Sequence, residues 1–384
     1  MRRHPMRSIL IALLFLMSFA ASANSDEYDR GLEAANNYDF VAAAKIWTSV
    51  ALNGDARAQF NLGVLYEAGR GVEADLKKAR ELYELASRQG HPKAKYFLGG
   101  LYLAGQGLES DTLKGLKLIN EAAESGFDMA QVDMGLNYLT GNLVSKDFER
   151  GYELLNQAAS KENAKALYSL GILFLNGEAV TQSYKKAAEF FDRSAQKGFP
   201  DAQYNMGKLY SEGLGVPEDM QKAIAFYELA SKQGLGVASY NLAQTYREAL
   251  KVPQDMEKSL RYYHLAAEQQ HDLSQYNLGL IYLNGIGVKQ DKTQGARYTK
   301  LAAKQGVSDA QFNLSLMYLN GDGLPQSAVD SYVWSFFAAK NGNPKGLKLE
   351  SFLKDKMERE APDLLAEANG LILHCQETLL HECD

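Results

Sequence analysis

The chain has 384 residues, 46% hydrophobic and 23% charged, with 33 Gly, 8 Pro and 2 Cys. Those fractions exclude a disordered chain and a polytopic membrane protein, and two cysteines exclude a disulfide-built scaffold. Lys+Arg 41 against Asp+Glu 47 gives −6, the wrong sign for a general nucleic-acid binder, whose affinity comes from neutralising phosphates.

Residues 1–23 read as a secretory leader. Arg2, Arg3 and Arg7 precede an apolar run from Ile9 to Ala20, and Ala21-Ser22-Ala23 supplies a small-x-small cleavage site before Asn24. The run is shorter than the about 20 residues that cross a hydrocarbon core, so no integral membrane segment is expected after cleavage. Losing three Arg leaves 38 − 47 = −9 on a product expected in the periplasm or secreted.

Residues 24–53 predict a capping half-unit, because Asp39, Ala43, Trp47 and Gly54 match the second helix of the units that begin at residue 54. From 54 to 341 a ruler of 36 takes over. Gly54, Gly90, Gly126, Gly198, Gly234, Gly306 and Gly342 fall on it, with Glu162 and Gln270 at the two missing marks, giving eight units. In the first half of a unit, Ala58, Leu62, Leu65 and Tyr66 share one helical face. In the second half Ala79, Leu82, Tyr83, Ala86 and Ser87 do the same. Each unit is therefore two antiparallel helices, A then B, and the fold class is all-α.

Small and aromatic columns predict the packing. Mid-helix glycines Gly63, Gly99, Gly135, Gly171, Gly207 and Gly279 each cost about 1 kcal/mol against Ala, a cost consistent with close approach of a second helix. Phe60, Tyr96, Tyr168, Tyr204, Tyr240, Tyr276 and Phe312 then fill the space between units. Gly-x-Gly pairs at 69, 105, 213, 285 and 321 end helix A, and Asp39, Asp75, Asp111, Asp147, Ser183, Asp219, Asp255, Asp291 and Ser327 are expected to cap helix B. Unit six has Ala249-Leu250-Lys251 instead of Gly-x-Gly, which predicts a different turn there. Residues 342–384 predict capping helices, with Lys354, Asp355, Lys356, Glu358 and Arg359 facing water and Pro362 opening the last helix.

The pattern A-x-[YF]-N-L-G-x-L-Y-x-x-G-x-G-V-x-x-D-x-x-K-A, at 58–79, 202–223 and, with Ser and Gln substitutions, 274–295, resembles the Sel-one-like repeat, a relative of the tetratricopeptide repeat. The resemblance implies a right-handed superhelical solenoid whose members mostly act as adaptors for protein complexes, often in bacterial envelopes or at host contact. It also implies two alternatives. One is a penicillin-binding or β-lactamase-like activity linked to the cysteine-rich secreted branch; the other is a host-directed surface or secreted effector.

Chemistry is sparse. Ser183, Ser194 and Ser351 each precede a Lys by three residues, but the companion S-D-N and K-T-G motifs are absent. No zincin, P-loop or dinucleotide fingerprint occurs, so neither an enzyme nor a cofactor is expected. His374, Cys375, His381 and Cys383 form the single metal-like cluster; a disulfide between the only two cysteines is favoured over zinc or free thiols, provided the helix ends near Leu380. His264 and His271 are expected to be solvated or capping. The favoured site is a groove lined by A helices. There Asn61, Asn205, Asn241, Asn277 and Asn313 offer amides to an extended peptide backbone, with Lys208 and Arg247 as anionic anchors. Packing within the repeat is the competing role for those Asn. The ladder is continuous from unit five, so the C-terminal half is the expected binding half.

Overall fold

The computed structural model describes residues 26–106, 110–380 and 383. The leader expected over 1–23, Gly107 and His381 lie outside the described residues. Among those described there are helices and no strands: α1 (26–36), α2 (Phe40–Leu52), and then alternating A and B helices. The A helices are α3 (Ala56–Ala68), α5 (Pro92–Ala104), α7 (Asp128–Thr140), α9 (Ala164–Asn176), α11 (Pro200–Glu212), α13 (Gly236–Arg247), α15 (Asp272–Asn284) and α17 (Ser308–Asn320). The B helices are α4 (Leu76–Arg88), α6 (Thr112–Glu124), α8 (Phe148–Ser160), α10 (Tyr184–Gln196), α12 (Met220–Lys232), α14 (Met256–Glu268), α16 (Lys292–Lys304) and α18 (Ala328–Lys340), followed by α19 (Pro344–Glu360) and α20 (Pro362–Glu377). The chain divides into two compact bodies between Ser183 and Tyr184. No helix among the described residues is long and apolar enough to cross a membrane.

One loop chemistry sets the A–B turn. Gly69, at φ 62°, ends α3, and the chain returns so that the Asp75 N–H donates to Tyr66 O at 2.9 Å. The Asp75 carboxylate accepts the Lys78 N–H at 3.0 Å and caps α4. Residues 111, 147, 219, 255, 291 and 327 repeat both bonds, as the cap residues predicted. The second glycine of the pair answers to a neighbour instead: a Cβ on Gly71 would collide with the Phe40 carbonyl at the start of α2.

Unit six departs from expectation. Ala249 and Lys251 adopt φ 54° and 59°, the left-handed conformation that glycine takes at 213 and 215, and Asp255 N–H still reaches Tyr246 O at 3.0 Å. The turn is therefore retained without its glycines, because the closing bond and the Asp255 cap are retained. Glu162 and Gln270 likewise carry φ 59° and 64° at the two marks where the 36-residue glycine is missing.

Helices A and B meet at the small columns. A Cβ on Gly63 would lie 2.7 Å from the Tyr83 ring and 3.3 Å from Ala79 O, so the missing side chain admits α4 onto α3. Phe60 then packs on Tyr83 (5.7 Å between ring centres) and on Phe97 of the next unit (5.4 Å). The core is a succession of local clusters, such as Phe60, Tyr83, Leu98 and Leu101, as in a repeat array where each unit buries its face on its neighbours.

The opening half-unit is in fact a two-helix unit. Tyr28 and Gly31 lie 32 residues before Phe60 and Gly63, Gly31 abuts Trp47, and Asp39 N–H donates to Ala34 O at 2.9 Å. That bond spans five residues where Asp75 to Tyr66 spans nine, so the loop is shorter by four and the unit slips off the 36-residue ruler. At the other end, Leu353, Met357, Ala368 and Ile372 of α19 and α20 cover Trp334 and Phe337, while the five charged residues at 354–359 are exposed.

Candidate functional site

The A helices α11, α13, α15 and α17 carry Asn205, Asn241, Asn277 and Asn313 one residue after the core aromatic; all four are half-buried. Each is engaged by the fold. Asn205 Nδ2 donates to Asp201 O at 2.8 Å and Asn277 Nδ2 to Leu273 O at 2.9 Å, one turn back on their own helices. Asn313 Nδ2 instead donates to the Tyr276 hydroxyl of the preceding unit at 3.1 Å, and Asn241 bonds the Tyr227 hydroxyl. In the N-terminal body Asn61 does the same to Tyr28 at 3.0 Å. The ladder thus spends one amide hydrogen per residue on packing. Among the described residues the carbonyl oxygens of Asn61, Asn205 and Asn313 have no partner and each Nδ2 carries a second hydrogen, so these three keep the donor–acceptor pair expected from sequence.

Lys208 is exposed on α11. Arg247 is not a free anchor: it pairs with Glu248 at 2.8 Å, reaches Asn277 Oδ1 at 3.4 Å and lies 5.8 Å from the Tyr263 ring centre. It therefore ties unit six to unit seven. In unit three Asp133 replaces Asn; it accepts the Tyr96 hydroxyl at 2.6 Å and pairs with Lys165 at 3.2 Å. Burial first, and that bond second, push the Tyr96 phenol above its ordinary range.

Three features escape the sequence reading. Tyr66, Tyr102, Tyr210 and Tyr246 each lie under the Lys three residues after the helix-B cap, at 4.1–5.2 Å from the ring centre. The 36-residue spacing of Tyr and of D-x-x-K is the available clue. His271 caps α15, one of the two roles expected for it, and the unanticipated His91 caps α5; they accept the N–H of Ser274 and Ala94 through Nδ1 at 3.2 Å, while their rings stack on Tyr240 and Phe60. His264, expected to be solvated or capping, is neither: its ring nitrogens face the hydroxyls of Tyr282 (3.0 Å) and Tyr298 (3.1 Å). The third feature is a column of buried glutamines, Gln59, Gln131, Gln203, Gln275 and Gln311, each donating to a backbone carbonyl eight residues earlier.

Of the candidate serines, Ser194 is fully buried in α10 and Ser351 is exposed on α19. Among the described residues no cluster of three His, Cys, Asp or Glu could hold a metal. Cys375 and Cys383 are joined by a disulfide with Cα atoms 5.0 Å apart; α20 stops at Glu377, and Leu379 and Leu380 turn back with φ 51° and 69°.

A family model, the Sel1 repeat, matches eight consecutive blocks from residue 56 to residue 343. A Sel1 repeat protein from Oxalobacter formigenes is 28% identical, with 80% of this chain and 89% of that one covered and a TM-score of 0.62. The antigen c5321 of uropathogenic Escherichia coli, described as protective and as having an SLR fold, is 26% identical over 95% of this chain and 86% of its own, with a TM-score of 0.56. No curated protein matches.

Proposed function

Because the chain belongs to the Sel1-repeat family, whose members generally serve as protein-interaction scaffolds, we propose that it is an exported, non-catalytic scaffold. It holds a protein or peptide segment against the A-helix face of α11, α13, α15 and α17. The observation that carries this reading is the row of half-buried Asn, each held by a bond to the fold, with a second Nδ2 hydrogen left and with Oδ1 at 205 and 313 unpartnered among the described residues. Fixed donors and acceptors favour the C=O and N–H groups of an extended backbone over any particular side chain, which suits a scaffold. Lys208 adds a cation at the edge. Export rests on the basic, apolar and small-x-small succession of residues 1–23.

The test is site-specific photocrosslinking from position 208 in living cells, compared with the N205A/N241A/N277A variant. Capture that disappears in the variant at unchanged helicity supports the reading; equal capture removes the groove. Mature protein beginning at Asn24 in the periplasmic fraction supports export, and retention of Met1 overturns it. A band labelled by fluorescent penicillin would overturn the non-catalytic reading in favour of a β-lactam-binding relative.

A second reading, a surface or secreted protein directed at a host, is favoured by one observation: the E. coli relative is described as a protective antigen. Protease treatment of intact cells separates the two, since only a surface-exposed chain is cut.

A further inference from the structure

The B-helix surface of units five to seven carries a row that the A-helix reading does not use. Leu229, Leu265 and Leu301 stand 36 residues apart on α12, α14 and α16; Leu229 is 46% and Leu301 40% exposed, and Leu265 is half-buried. Apolar side chains repeated in register on a water-facing surface mark a surface to be covered. One turn earlier on α14 and α16, Arg261 and Arg297 are exposed and stack on Tyr262 (5.0 Å) and Tyr298 (5.7 Å). Among the described residues neither guanidinium has a carboxylate within ion-pair distance. Helix α16 carries Lys292, Arg297, Lys300 and Lys304 and no acid, in a chain of net charge −6.

Between α12 and α14 the surface sinks into a depression of about 590 Å³ lined by Glu228, Lys232, Arg261, Tyr262, His264 and Leu265, among others. Its floor is braced. Tyr262 Oη donates to Glu228 Oε1 at 2.7 Å, and His264 bridges to Tyr298 on α16 at 3.1 Å. Glu268 is the one other acid lining it.

We propose that this row docks an acidic peptide segment that carries apolar side chains. Its apolar side chains cover Leu229, Leu265 and Leu301, and its carboxylates meet Arg261 and Arg297, whose guanidinium groups lie 5.0 and 5.7 Å from tyrosine ring centres. The docking row shares no residue with the Asn ladder and stands or falls without it.

The probe is a fluorescein-labelled peptide of three Leu-Glu-Ser triplets, titrated against the purified protein by anisotropy. Expected are saturable binding that weakens as salt is raised, no binding of the Leu-Lys-Ser counterpart, and a loss of about tenfold or more in R261Q/R297Q, which keeps the side-chain stems on the tyrosines. L229S/L301S is the second variant and loses binding as well, with unchanged circular dichroism. Absence of peptide binding, or equal binding by both variants, overturns the proposal. So does adsorption to anionic phosphatidylglycerol vesicles, or self-association in sedimentation, that the same variants abolish while the peptide fails to compete.

Discussion

Gln233 donates through Nε2 to Gln203 Oε1 at 2.8 Å, and Gln203 donates through its own Nε2 to Ala195 O at 3.3 Å in the helix of the preceding unit. The buried Gln203 amide thereby ties the last turn of α10 to the last turn of α12. The same relay runs from Gln89 through Gln59 to Ala51, from Gln305 through Gln275 to Ala267, and from Asn341 through Gln311 to Ala303. Unit six substitutes a compact version, in which Ser239 Oγ donates to Gln269 Oε1 at 2.7 Å and lies 2.7 Å from Ser231 Oγ.

Unit three breaks the relay. Lys161 stands where the donor amide belongs and bonds Gly126 O instead, leaving Gln131 Oε1 buried without a partner. K161Q supplies the missing donor and is expected to stabilise this unit by about 1 kcal/mol, whereas Q203L is expected to cost about 1–2 kcal/mol through the loss of both bonds of the buried amide, since Ala195 O keeps the Gly198 N–H and the exposed Gln233 turns to water. Hydrogen exchange of α8 and of α10–α12 reads each effect where it arises, since repeat arrays do not lose structure all at once.

Left-handed backbone carries its own prediction. Glu162 and Gln270 hold φ near 60° with a Cβ, so E162G and Q270G are each expected to raise stability by about 0.5–1 kcal/mol. G71A is the opposite case, adding both the left-handed penalty and a collision with the Phe40 carbonyl. It is expected to cost about 2–3 kcal/mol in urea denaturation.

Acid should loosen the array at its histidine caps. Burial holds the imidazoles of His91 and His271 below their ordinary pKa, and Nδ1 accepts a backbone N–H only when unprotonated. Between the folded and unfolded pKa values the unfolded chain binds more protons, so this contribution is full above about pH 6.5 and is lost as pH falls through the folded values. H91N/H271N keeps a capping acceptor, as Asn163 does on α9. It is expected to flatten the fall in thermal midpoint between about pH 7 and 5; an unchanged pH profile would contradict the cap assignment.

The disulfide closes a short loop, Cys375 and Cys383 being eight residues apart. Chain-entropy arithmetic gives about 2–3 kcal/mol for a loop of that size. C375S/C383S is expected to release that stabilisation only at α20, seen as faster exchange beyond Pro362 with the repeats unaltered.

Legibility in the sequence tracks the range of each interaction. The glycines, the Asp caps and the 36-residue ruler act within a few residues, and the A–B loops take the form those residues dictate even at Ala249 and Lys251. The opening unit reads as a half-unit because a four-residue deletion in its loop displaces Tyr28 and Gly31 from the ruler, although both keep their contacts. The Asn ladder is visible as a column, but which amide atoms it spends depends on Tyr276, Tyr227 and the helix turns behind it.

Order along the chain and the all-helical class were determined by sequence alone, because caps, left-handed glycines and helical periodicity are local physics that a repeat restates eight times. The tertiary structure decided what each polar column does. The Gln relay, the bracing of His264 and the stacking of Arg261 and Arg297 on tyrosine rings are set by how side chains some 20 to 37 positions apart, or next to one another on one helix face, are oriented when units stack. A hydrogen bond or ring contact needs a few ångströms and the right angle, and neither quantity is written in spacing along the chain.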